Sequence, residues 1–114
     1  MNTEMFVEAI KRHVCSAAVE DMLEKLRNPP GRRVPVEIKE RSSWYLNLSE
    51  ADAKIIEHIV VSAVNEAVFG LFAILDGSRV IEDGRFELVH VNEERILLND
   101  PDKIGLNEIF NAAD

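Results

Sequence analysis

The chain has 114 residues, 46% of them apolar, and a formal net charge of −8. That is enough chain for one domain with its own core and too apolar for disorder, and the acidic balance argues against nucleic acid as a general partner. A single cysteine, Cys15, excludes an internal disulfide and points to a reducing compartment.

In chain order, Asn2 or Thr3 is placed to cap a helix running to about Arg27. Val7, Ile10, Val14, Ala18, Met22 and Leu26 form its apolar stripe, flanked by Cys15, Val19 and Leu23. Asn28-Pro29-Pro30-Gly31 must stop that helix. Val34, Val36 and Ile38 then alternate with Pro35, Glu37 and Lys39, the pattern of a half-buried strand, which Pro35 assigns to a sheet edge. Arg41 to Leu48 carries no clear period, but Trp44, Tyr45, Leu46 and Leu48 are too apolar for a free linker.

Ser49 to Asp76 is the organising element. Ser49 has the form of an N-cap with Asp52 three residues on. Ile56, Ile59, Val60, Ala63, Val64, Ala67, Leu71 and Leu75 recur at helical spacing, and Gly77 stands where a C-cap glycine belongs. A helix of about 27 residues spans roughly 40 Å. Its second half, Ala67 to Leu75, is apolar around the whole circumference and must be covered on every side. A homodimer meets that need, with Phe69, Gly70, Phe72 and Ala73 as interface candidates and Gly70 permitting close backbone approach. The competing reading ends the helix near Gly70 and makes Leu71 to Leu75 a buried strand.

Beyond Gly77, the stretches Phe86–Val91 and Arg95–Leu98 read as strands joined at Asn92-Glu93-Glu94. Asp100-Pro101 has the form of a cap and first residue for a last helix with Ile104, Ile109 and Phe110 inward. The expected fold is a single α+β domain over residues 1–114: a long central helix packed with an N-terminal helix against a small antiparallel sheet, then a short C-terminal helix.

His58, Ser62, Asn65 and Glu66 share one strip of the long helix, the arrangement a ligand or catalytic site needs. Glu66 adjoins the apolar run, so partial burial is expected, with Arg79 or Arg85 as its base. A small enzyme built on Glu66, His58 and His90 is therefore one reading; a solvated face is the other. His13, His58 and His90 are too scattered for zinc, and no cofactor motif occurs, so neither metal nor cofactor is expected. Cys15, beside the first stripe, reads as a buried structural thiol. Trp44 with Arg41 has the composition of a binding hot spot, although Trp44 could equally cover the core. Charge is uneven: residues 25–41 hold six bases against two acids, and residues 76–114 hold ten acids against four bases. Glu82, Asp83, Glu93 and Glu94 fall in loops of that acidic half and are candidate contacts for a basic protein.

The stretch from Phe69 to Asn111 resembles small bacterial immunity proteins of polymorphic toxin systems. The shared features are an apolar helix ending in Leu75-Asp76-Gly77, then Ile81-Glu82-Asp83, a hairpin, Leu97-Leu98-Asn99-Asp100 and a short last helix. The resemblance covers about a third of the chain and carries no catalytic residue. It implies a protein that binds and blocks a toxin. With no secretory h-region near the N-terminus, and only about nine consecutive uncharged residues against the ~20 a bilayer span needs, a cytoplasmic protein without membrane contact is expected. The function expected is thus non-enzymatic protein binding, with a self-associating adaptor or a small enzyme as alternatives.

Overall fold

Two long helical stretches run along the molecule in the computed structural model, which describes residues 1–112. The first joins α1 (Thr3–Ile10), a π-helical segment (Lys11–Ser16) and α2 (Ala17–Arg27) without a break. Asn2 caps it, its side chain accepting from the Met5 N–H at 2.8 Å. The π segment changes which side chains face inward. An i→i+5 turn holds about one residue more than an α turn, so the apolar stripe slips in phase. Val7 and Leu26 are buried as the spacing predicts, but from the π turn onward Cys15 and Leu23 point inward while Val14, Ala18 and Met22 are exposed.

The second stretch is α4 (Glu50–Asp76). The Ser49 hydroxyl accepts from the Asp52 N–H at 3.1 Å, and Gly77 ends the helix at φ 83°, a left-handed conformation that costs glycine least. The helix is continuous through Gly70, so Leu71–Leu75 is not a strand.

Residues 34–38 are not a strand either. Pro35 is the N-cap of α3 (Val36–Leu46). Strand backbone needs a neighbour to satisfy its N–H and C=O groups, and the only two strands of the described residues lie at the far end of α4. A helix satisfies its own. Ile38, Ser42 and Tyr45, at i, i+4 and i+7, face inward, and the buried Ser42 hydroxyl donates to the Leu26 carbonyl at the end of α2 (2.7 Å). Arg27 pairs with Glu57 at 3.2 Å and the Tyr45 hydroxyl donates to the same carboxylate at 3.3 Å. Leu23, Leu26 and Tyr45 form a small core here, with Ala53, Ile56 and Val60 of α4 packed on it.

A separate core sits at the other end: Val7, Cys15, Phe72, Leu106 and Phe110. The Phe6, Phe72 and Phe110 rings stack in tilted and edge-on contacts with centroids 6.3 and 5.5 Å apart. The antiparallel hairpin of β1 (Val89–Val91) and β2 (Arg95–Leu97) pairs Val89 with Leu97, His90 with Ile96 and Val91 with Arg95. Asn99 ties it to α4. Its side-chain oxygen accepts from the Leu88 N–H (2.8 Å), and its amide donates to the Leu75 carbonyl (2.6 Å) and the Phe86 carbonyl (2.9 Å).

The last helix, α5 (Leu106–Asn111), begins five residues later than Asp100-Pro101 predicts, and Ile104 is exposed. Its cap comes from elsewhere in the chain. The Asp76 carboxylate accepts from the N–H groups of Leu106 (3.0 Å) and Asn107 (2.8 Å). A carboxylate at the negative end of its own helix is thereby placed on the positive end of another. Asp76→Ala is expected to lower stability by about 1–2 kcal/mol, with Asp76→Asn retaining part of it. Urea denaturation checks this; an unchanged midpoint would assign the cap no energetic role. The architecture is thus α+β, a long central helix with the N-terminal helix beside it and a two-stranded sheet at one end.

Candidate functional site

The surface of α4 is the most unusual feature of the molecule. Ala53, Ile56 and Val60 are half-buried against one core, Val64, Val68, Phe69 and Leu75 against the other, and only Phe72 and Ala73 are fully buried. A window of 18 residues in this helix has a mean hydropathy of 1.8, yet 11% of it is buried. Ile55, Ile59 and Leu71 are 55–56% exposed, and Ala63 and Ala67 are exposed between them. These five residues are spaced by four and form a single ridge along the helix.

The molecule as a whole is correspondingly open. Its radius of gyration is 18.0 Å, where a compact chain of this length has about 13 Å. Its accessible surface is 8464 Å², roughly 2,000 Å² more than a compact monomer of 12.9 kDa exposes. The two cores follow one another along a body 50 Å long and together cover one face of α4 from Ala53 to Leu75, leaving the ridge on another face bare.

Beside the ridge, α4 and the N-terminal helix diverge around an open groove of about 880 Å³. Val19, Val61 and Phe69 contribute apolar surface, and Glu20, Glu66 and Arg79 polar groups. The π segment forms part of its wall through Lys11, Cys15 and Ser16, and the Lys11 ammonium lies 5.6 Å from the centre of the Phe110 ring. Cys15 is buried, and desolvation raises its thiol pKa against the lowering effect of Lys11, which keeps it protonated and a poor nucleophile.

The residues singled out by sequence are dispersed. His58, Ser62, Asn65 and Glu66 do share one exposed strip, but only Asn65 and Glu66 reach the groove. Glu66 is exposed rather than partly buried, and among the described residues it forms no ion pair with Arg79 or Arg85. Arg85 binds Glu87 instead, at 2.7 Å. His58 and Glu66 are about 12 Å apart along the helix. His90 is half-buried on the hairpin, at the end of α4 away from His58. No group of three or more metal-ligating side chains assembles among the described residues.

Of the dimer candidates, Phe72 and Ala73 belong to the chain's own core, so the bare face is a different one. The group that approaches Gly70 is Arg79 of the same chain: a Cβ there would stand 3.2 Å from its Nη1. Trp44 and Arg41 are exposed one turn apart on α3, and Glu82, Asp83, Glu93 and Glu94 are exposed on the loop and hairpin turn. Sequence reasoning missed Asp76 and Asn99, two polar residues that tie this end together. No protein-family model, curated protein or solved structure matches the chain.

Proposed function

We propose that this chain is a non-catalytic protein-binding module whose working surface is α4, and that its first partner is a second copy of itself. The observation that carries this reading is the ridge Ile55–Ile59–Ala63–Ala67–Leu71, apolar and uncovered along the middle of the molecule. Excess surface of roughly 2,000 Å² per chain matches what obligate homodimers bury. Apolar burial of that size is the usual driving force of association. The dispersion of His58, Glu66 and His90 removes the main support for an enzyme. Light scattering across a concentration series tests the proposal: a mass of twice 12.9 kDa is expected, and 12.9 kDa at every concentration overturns it.

A narrower reading, an immunity-type inhibitor of a basic toxin, is favoured by the exposure of Glu82, Asp83, Glu93 and Glu94 on the hairpin end. Such carboxylates act mainly on encounter. Replacing Glu93 and Glu94 by Gln should slow association with a basic toxin and flatten its salt dependence, with dissociation little changed. Stopped-flow association at low and high salt reads this, and a rate indifferent to both changes leaves these acids a solubility role.

A further inference from the structure

Resting on the reading of α4 as a self-association surface, we infer that the two copies pair antiparallel, α4 crossing α4 at Ala63, with the acidic end of each copy against the near-neutral end of the other. The first support is the order of side chains along the ridge. Ile55 and Leu71 stand eight residues either side of Ala63, and Ile59 and Ala67 four residues either side. Antiparallel pairing sets Ile55 on Leu71 of the second copy, Ile59 on Ala67 and Ala63 on Ala63. Large faces small on both sides of the crossing, and the smallest contact falls at the centre, where two backbones must come closest. Parallel pairing would set Ile59 on Ile59 and Ala67 on Ala67, holding the helices apart on one side and leaving a gap on the other. Ridges of i±4 spacing interdigitate when helices cross at about −50°, so the larger ends fill the space that opens away from the crossing. Glu66 lies on the groove side of the ridge and opens into the groove.

The second support is charge. Residues 25–41, six bases against two acids, sit at the end where Arg27 and Tyr45 meet Glu57, and Glu24, Glu50, Asp52 and Glu57 bring that end close to neutral. Residues 76–112, nine acids against four bases, sit at the other end, joined to α4 by Asn99 and Asp76. Glu57 and Asp76 are about 28 Å apart along the helix. Antiparallel pairing about Ala63 brings each acidic end alongside the second copy's near-neutral end and keeps the two acidic ends apart. Parallel pairing would bring like ends together, at a cost in self-repulsion.

Engineered cysteines test the orientation in the full chain, because the buried Cys15 leaves a quiet background. A63C is expected to form a disulfide dimer by itself. I59C and A67C are expected to cross-link when mixed and neither alone, since an antiparallel arrangement holds Ile59 about 12 Å from its own copy, well beyond disulfide reach. I59C cross-linking with itself as readily as with A67C overturns the antiparallel pairing while leaving the dimer intact. A dimer mass with no cross-link at any of the three positions overturns the assignment of this ridge. A monomer mass together with flotation on phosphatidylcholine vesicles overturns the underlying reading and makes lipid the occupant of the face.

Discussion

Asn99→Ala is expected to destabilise the protein by about 3–4 kcal/mol, because each buried backbone group left without its partner costs about 1–3 kcal/mol. Three groups lose one at once: the Leu88 N–H and the carbonyls of Leu75 and Phe86. Asn99 is 8% exposed, so water has little access to replace them. For a domain whose total stability is about 5–15 kcal/mol, that is a large fraction. Asn99→Asp should be no better. It keeps an acceptor for Leu88 but sets a carboxylate against two carbonyl oxygens. Denaturant unfolding followed by circular dichroism measures the loss. A change of under about 1 kcal/mol would mean that water or a shifted loop supplies the missing partners. The variant also has a local reading: hydrogen exchange should rise first at the hairpin and α5, which Asn99 and Asp76 attach to the end of α4.

Ile59→Glu is expected to abolish the dimer while leaving the fold intact. Ile59 is 56% exposed in the single chain, so a carboxylate there stays solvated in the monomer. Across a paired α4 the same group would be buried and unpaired against Ala67 of the second copy. Phe72→Glu is the contrasting case. Phe72 is 2% exposed between Phe6 and Phe110, and a carboxylate in that core should unfold the chain outright. Phe69 would be a poorer probe, because it is half-buried against the same core and its substitution mixes the two effects. Light scattering together with far-ultraviolet circular dichroism separates the outcomes. Ile59→Glu that keeps twice the chain mass would remove this face from the interface. Ile59→Glu that loses helix would mean the ridge supports the monomer.

Several elements of this protein were settled locally and were therefore legible in its residues. The ends of α4 depend on the Ser49 hydroxyl and on a left-handed glycine at Gly77, both short-range effects. Pro29 and Pro30 end the first helix whatever surrounds them. The remainder was decided by distant partners. Val34 to Ile38 alternates as a strand does, but no strand lies near it to accept its hydrogen bonds, so the backbone bonds to itself. Asp100 has a capping sequence, yet α5 starts where the Asp76 carboxylate reaches it across 30 positions of chain. The π turn at Lys11–Ser16 moves Cys15 and Leu23 inward and Val14 and Met22 outward, a shift of phase that periodicity alone does not reveal. Most consequential is the bare face of α4. A helix apolar on every side carries no record of which side its own chain will cover. That depends on where two separate cores place the other helices, and they cover one face of α4 from Ala53 to Leu75.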